Sequence, residues 1–340
     1  MIRNAVMPAW QAKWIDPELP HEPEKKQPAS YLRRRFTTKT PGSACLYITC
    51  HGLYAAYLNG QRVGDFVLAP GTGDYKQRLM VQCYDVTKLL KTGENELLVI
   101  LGDGWYRGGI GVDGLRNYYG DDLALLCQLE ADGSTILCSD EGWEASQQGP
   151  IRENDLEVGE SYDARMEKMD GWHAVTVREF GYDNLAATTG VPVLEQERFS
   201  GRLIKTPNGE TVIDFGQNLA GYTELCVTAK AGQRITIWHG ETLDENGNFT
   251  QSNYNPTWRS QNGGVPQRID YICKDGLNEY KPSFTIMGFR YAKVETDADL
   301  TDARFTAIAV YSYMPQVGFF ACGSDEAMLP TRGGDWYDGG

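Results

Sequence analysis

The sequence predicts an all-β protein made of two tandem antiparallel β-sandwiches with an irregular connecting segment. Three observations carry this expectation. Short runs of alternating apolar and polar residues recur along most of the chain. Dipeptides that tolerate positive φ, Asn59-Gly60 and Asp132-Gly133, sit between such runs as hairpin turns. A length of 340 residues is too great for one ordinary core.

Taken in order, residues 1–27 read as a lead-in. Trp10 and Trp14 are expected to pack on the first domain, and PELPHEPEKKQP is a loop rich in proline and charge. The first sandwich is assigned to 28–200. Its strands are expected in YLRRRFTT, ACLYITC, AAYLNG, QRVGDFVL, RLMVQCYDV, NELLVIL, LALLCQLE and STILCSD. Tyr84 to Leu90 suits one short helical turn, and Gly93-Glu94-Asn95 a turn before the strand Glu96 to Leu101. From Gly149 to about Ser200 the pattern is less regular and reads as an excursion that closes this domain. A second strand-rich unit is assigned to 201–315. The tail, 316–340, carries Pro330, Gly333-Gly334 and Gly339-Gly340, which prevent a helix of useful length. No repeat suggests a propeller or solenoid.

Composition excludes several classes. With 46 acids against 32 bases the formal charge is -14, which argues against nucleic acid or an anionic membrane as partner. No apolar run is long enough to span a bilayer, and the N-terminus lacks the apolar region of a secretory signal. The eight cysteines form no Cys-x-x-Cys pair. Several lie in apolar strand patterns, so free core thiols and a cytoplasmic location are expected. His21, His51, His173 and His239 are scattered without metal-ligand spacing and read as surface or capping residues.

Longer motifs narrow the reading. YLNGQRVGD followed by YDVTKLLKTGENELLV resembles the jelly-roll module of carbohydrate-binding and glycosidase accessory domains. LGDGWYRGGIG with NYYGDDLALLCQL resembles the N-terminal module of bacterial α-L-rhamnosidases. The resemblance continues through GESYDAR, VIDFGQNLAGY, WHGETLDENGNF and FTIMGFRYAKV, in the family's order and over nearly the whole chain. It implies two jelly-roll-like sandwiches that recognise a terminal L-rhamnose or related sugar and support a catalytic helical barrel, their intramolecular partner. In that family of inverting glycoside hydrolases the general acid and base belong to the barrel. The sequence given does not contain it, so no catalytic residue is assigned and the chain is expected to be inactive alone. The alternatives are a self-sufficient hydrolase using sandwich-loop carboxylates and a scaffold without ligand.

Sugar recognition needs an aromatic face against ring C–H groups and carboxylates or amides against hydroxyls. Loop residues Asp74, Tyr75, Asp103, Trp105, Tyr106, Asn117 and Tyr119 supply both kinds of group. A calcium ion can bridge sugar hydroxyls where several oxygens converge, and Asp74 and Asp121 are its expected ligands. In this chain Gly71-Thr72-Gly73 precedes Asp74, where the family often has an aromatic residue. Gly102-x-Gly104 superficially resembles a phosphate loop, but the third glycine comes one residue late and no long helix is expected after it. The second unit's densest motifs, Asp214 to Asn218 and Met287 to Tyr291, read as structural, with Arg290 paired to an acid or a carbonyl.

Overall fold

Asn59 and Gly60 take φ values of 54° and 78°, closing the two-residue turn between the strands Leu53–Leu58 and Gln61–Arg62. Asp132 and Gly133, at 49° and 79°, do the same between Ala124–Ala131 and Ser134–Cys138. The computed structural model describes residues 7–20, 22, 26–111, 114–254 and 266–314. The chain divides into two all-β units. The first holds the residues up to Gly190 with Ser283–Thr285, and the second Val191–Pro282 with the residues from Ile286 on. This division precedes the expected boundary near 200 because Val193–Ser200 pairs with Arg304–Ser312. The expected tail, 316–340, lies outside the described residues.

The first unit has two sheets. One runs Thr176–Arg178, Trp14–Asp16, Ala124–Ala131, Ala44–His51, Leu79–Asp85, Leu185–Ala187, with Ser134–Cys138 branching from Ala124–Ala131. The other runs His173–Ala174, Glu144–Ser146, Ser30–Thr38, Gly93–Gly102, Leu53–Leu58, Gln61–Arg62. Trp14, Leu46, Ile48, Leu53, Leu97 and Trp143 are all buried in the core. A buried polar network crosses between the layers. The Tyr54 hydroxyl, from the second sheet, donates to Gln82 Oε1 (2.7 Å) in the first and lies 3.1 Å from the Tyr84 hydroxyl. Gln82 Nε2 in turn donates to Thr188 Oγ1 at 2.8 Å.

Three local expectations change. The lead-in contributes Trp14–Asp16, an inner strand whose neighbours are Ala124–Ala131 and Thr176–Arg178. Gly93-Glu94-Asn95 belongs to the long strand Gly93–Gly102, extended by pairing with Ser30–Thr38 along its whole length. The irregular excursion supplies edge strands to both sheets and the hairpin Ile151–Asp155/Gly159–Asp163.

The cysteine expectation is corrected at one pair: Cys45 and Cys83 form a disulfide, with Cα atoms 6.2 Å apart. Cys45 lies opposite Asp85 and Cys83 opposite Tyr47 on antiparallel strands, so the two cysteines sit diagonally on one face. Cys50, Cys127 and Cys273 are buried free thiols, and Cys138 and Cys226 are half-buried. The expectation of a cytoplasmic location rested on free thiols, and this bond removes that support. Among the described residues no helix is long and apolar enough to cross a membrane.

The second unit is organised by one long strand, Thr211–Ala229. Its first part pairs with Arg202–Lys205 and Met287–Thr296, its last part with Gly276–Tyr280 and Arg304–Ser312. The register shifts between Asp214 and Leu219, where Gly216 takes φ 81° and its N–H donates to Asp214 Oδ1. Arg290 Nε donates to the same oxygen at 3.1 Å, so these motifs build the bulge. Trp238 lies between cations of its neighbouring strands, Arg268 at 4.9 Å and Lys293 at 5.6 Å from the ring centre.

Non-reducing peptide mapping of the full chain is expected to recover a Cys45–Cys83-linked peptide. The double variant Cys45→Ser/Cys83→Ser should lose about 2–4 kcal/mol in urea unfolding. Tyr54→Phe leaves Gln82 with one buried acceptor short of a donor, a loss of about 1–3 kcal/mol by the same measurement.

Candidate functional site

At one end of the first unit, the loops after Ala44–His51 and Gly93–Gly102 meet the loops around Tyr75 and Phe180. Two glycines make this possible. A side chain at Gly102 would strike the Phe284 ring, and one at Gly104, where φ is 51°, would strike Leu53. The Gly-rich run therefore serves close packing, and the helix behind it is a single turn, Gly104–Arg107.

Asp103 holds that turn. Its carboxylate is wholly buried and accepts from Arg107 Nε at 2.8 Å and Arg116 Nη2 at 3.2 Å. Arg116 Nη1 also reaches Asp155 Oδ2 at 2.7 Å, and the Gly109 N–H donates to the same oxygen. Burial pushes the Asp103 carboxyl up, against the opposing pull of Arg107 and then Arg116. Asp103 was expected at a sugar, but the fold engages both its oxygens with guanidiniums. Its role is to position the loop.

The loop so held brings rings together. The N–H groups of Asn117 and Tyr119 donate to the carbonyls of Arg107 and Tyr106 at 3.2 Å each, which ties the loop back onto the turn. Asn117 itself takes φ 57°. Trp14, His51, Tyr106 and Tyr119 then form a continuous stack. Successive ring centres are 4.7, 4.7 and 6.5 Å apart. Tyr75 meets Tyr106 edge-on at 5.1 Å and lies tilted 5.0 Å from Tyr119. Its hydroxyl donates to the Gly52 carbonyl.

A recess of about 360 Å³ opens beside this stack. His51, Tyr75, Tyr106, Tyr119, Phe180 and Asn184 line it, and Asp183 is its lining carboxylate among the described residues. Phe180 is 41% exposed, and its ring lies 4.7 Å from His51. Asn184 Nδ2 is oriented by donating to the Tyr75 carbonyl at 2.7 Å. Asp74 is exposed next to Tyr75, and its Oδ1 accepts the Lys76 N–H at 3.0 Å. Desolvation, and then the Asp74 carboxylate, push the Tyr119 phenol up.

Of the residues expected from sequence, Tyr75, Tyr106 and Tyr119 converge on the recess. Trp105 is half-buried, and neither it nor Asn117 lines it. Asp121 lines a different recess from Tyr75 and Tyr119, with Arg107 and Arg178. A calcium ion needs six to eight oxygens. Asp74 lies next to Tyr75 and Asp121 lines the other recess, so the two expected calcium ligands do not line one recess. His51, Phe180, Asp183 and Asn184 were not anticipated. The signal was present in Phe180-Gly181-Tyr182-Asp183-Asn184, which has the same mixture of glycine, aromatic and amide as the neighbouring loops.

The histidine expectation is corrected as well. His51 and His239 are 8% and 0% exposed, and burial lowers both to about 4. His239 is held between Thr223 Oγ1 (2.9 Å) and the Gln267 carbonyl (3.0 Å). A side chain that refuses a proton when folded and accepts one near 6.5 when unfolded gives stability that is whole above 6.5. That stability falls away as the pH drops toward 4. Unfolding free energy in urea is expected to fall over that window, by up to about 3 kcal/mol per histidine, and His51→Phe should flatten the slope. Asp103→Asn leaves two guanidiniums underpaired and should cost about 3–5 kcal/mol in denaturant unfolding.

Two family models match the chain: the α-L-rhamnosidase N-terminal domain over residues 39–206 and the bacterial α-L-rhamnosidase concanavalin-like domain over 204–311. An α-L-rhamnosidase of Streptomyces avermitilis is 37% identical over 78% of the chain, which spans 27% of that relative's length. One from Formosa agariphila is 32% identical over 89% of the chain and 34% of its own length. The crystal structure of native α-L-rhamnosidase from Aspergillus terreus superposes with a TM-score of 0.84 at 36% identity, covering 92% of this chain and 38% of that one. The Streptomyces avermitilis enzyme complexed with L-rhamnose gives 0.75 at 33% identity, covering 85% and 29%.

Proposed function

The chain belongs to the bacterial α-L-rhamnosidase family, and from that premise we propose that it is a sugar-recognising, non-catalytic N-terminal part of such an enzyme. The observation that carries the reading is the aromatic recess. Its tyrosine and phenylalanine rings offer apolar faces to the C–H side of a pyranose. Asn184 and Asp183 line it and Asp74 is exposed next to Tyr75, so amide and carboxylate groups are on offer to hydroxyls. A 6-deoxy sugar suits such a wall, because its methyl group adds apolar surface where most hexoses carry a hydroxyl. The catalytic part, as intramolecular partner, belongs to the roughly two thirds of the relatives' length that this chain does not span.

Among the described residues the recess has one lining carboxylate, Asp183, which supports binding over hydrolysis, a reaction that needs two carboxyl groups across the scissile bond. Calorimetric titration with L-rhamnose should give a saturable heat, and one that a chelator abolishes would add a calcium ion to the site. Tyr119→Ala should weaken it at least about tenfold, roughly the 1.4 kcal/mol of one stacking ring, and Asp74→Ala should weaken it less. An aryl α-L-rhamnoside should not be turned over by this chain. No heat from wild type would sink the reading in favour of a scaffold, and turnover abolished by a single carboxylate substitution would sink it in favour of a hydrolase.

A further inference from the structure

A second recess of about 340 Å³ opens at the loop end of the first unit, lined among others by Asp16, Glu18, Arg107, Asp121, Asp122 and Arg178. It neighbours the aromatic recess. Tyr106, which lines the latter, is pushed up to about 12 by burial and then by Asp122, Asp121 and Asp16.

Arg107 makes this second recess chemically unusual. The residue is 4% exposed. Its Nε donates to Asp103 Oδ1 at 2.8 Å and its Nη1 to the Asp121 carbonyl at 3.2 Å, while Nη2 has no partner among the described residues. A buried charged donor without an acceptor is costly and uncommon, and Arg107 lines the recess, where an occupant can supply one. Asp16 does not supply it. One of its oxygens takes the Glu18 N–H (2.6 Å) and the other Arg178 Nε (2.9 Å).

Charge decides among ligands. Four carboxylates against two guanidiniums leave the lining net acidic, which disfavours a carboxylate or phosphate. The guanidiniums disfavour a metal ion. A neutral hydroxyl satisfies both kinds of lining group, because its oxygen accepts from Nη2 while its proton goes to a carboxylate. We infer that this recess is a second carbohydrate subsite, one that takes adjacent hydroxyls of an uncharged sugar and is separate from the aromatic recess. It rests on the reading of the first unit as a carbohydrate-recognising module.

The guanidinium nitrogen NMR signals of the arginine-labelled full chain test this, with Arg107 assigned through Arg107→Lys. The probes are methyl α-L-rhamnoside and, separately, methyl β-D-glucuronide. The neutral glycoside should move the Arg107 signal in wild type and equally in Tyr119→Ala, while Asp122→Asn and Glu18→Gln should each raise the concentration required about tenfold. The glucuronide should leave the signal in place. An Arg107 signal that ignores the neutral glycoside, follows only the glucuronide or falls silent in Tyr119→Ala overturns the second subsite. If Arg107 is silent while the heat of rhamnose binding is present and lost with Tyr119→Ala, the second subsite alone fails. If Arg107 responds while Tyr119→Ala leaves that heat unchanged, the aromatic recess fails and the second subsite stands.

Discussion

A carboxylate sealed from water, that of Asp103, fixes the loop end of the first unit. Burying it alone would be prohibitive, so its position is defined by the two guanidiniums that meet it, Arg107 from the helical turn and Arg116 from the loop beyond. Asp155 holds Arg116 from the opposite side and anchors the backbone at Gly109. These contacts fix one short turn and one loop relative to the hairpin Ile151–Asp155/Gly159–Asp163. Tyr106 and Tyr119 take their places from that frame, as does the unpartnered nitrogen of Arg107. Both recesses therefore share a single electrostatic origin.

How much of this was legible depended on how local the determining physics is. Asn59-Gly60 and Asp132-Gly133 announced their turns because few dipeptides accept positive φ twice. That Tyr75, Tyr106 and Tyr119 lie together was legible because bulky aromatics in loops need a surface to lie against, and here they supply one another. Asp103 was misplaced because an acid in a glycine-rich loop reads the same whether it faces water or arginines 4 and 13 residues further on. The Cys45–Cys83 bond was illegible because strand register, not linear spacing, brings the two cysteines together. Phe180 and Asn184 lay in a stretch without periodicity, where nothing in the order of residues says which loop it will lie beside.

The second unit spends its most distinctive residues differently. Its aspartate, arginine and glycine motif shapes a bulge, and its half-buried tryptophan is flanked by two cations that also meet acidic neighbours. Density of memorable residues is thus a poor guide to where a ligand goes. In this chain the recess formed where loops crowd, while the motif-rich strands satisfied themselves.

The strand Thr211–Ala229 has a consequence for how such a protein is made. Two of its principal partners, Met287–Thr296 and Arg304–Ser312, lie far downstream. At ~5–20 residues per second of synthesis, this strand waits on the order of ten seconds at the ribosome with only its first residues paired, to Arg202–Lys205. Translation speed and chaperone supply, more than equilibrium stability, then govern how much of the nascent polypeptide escapes aggregation.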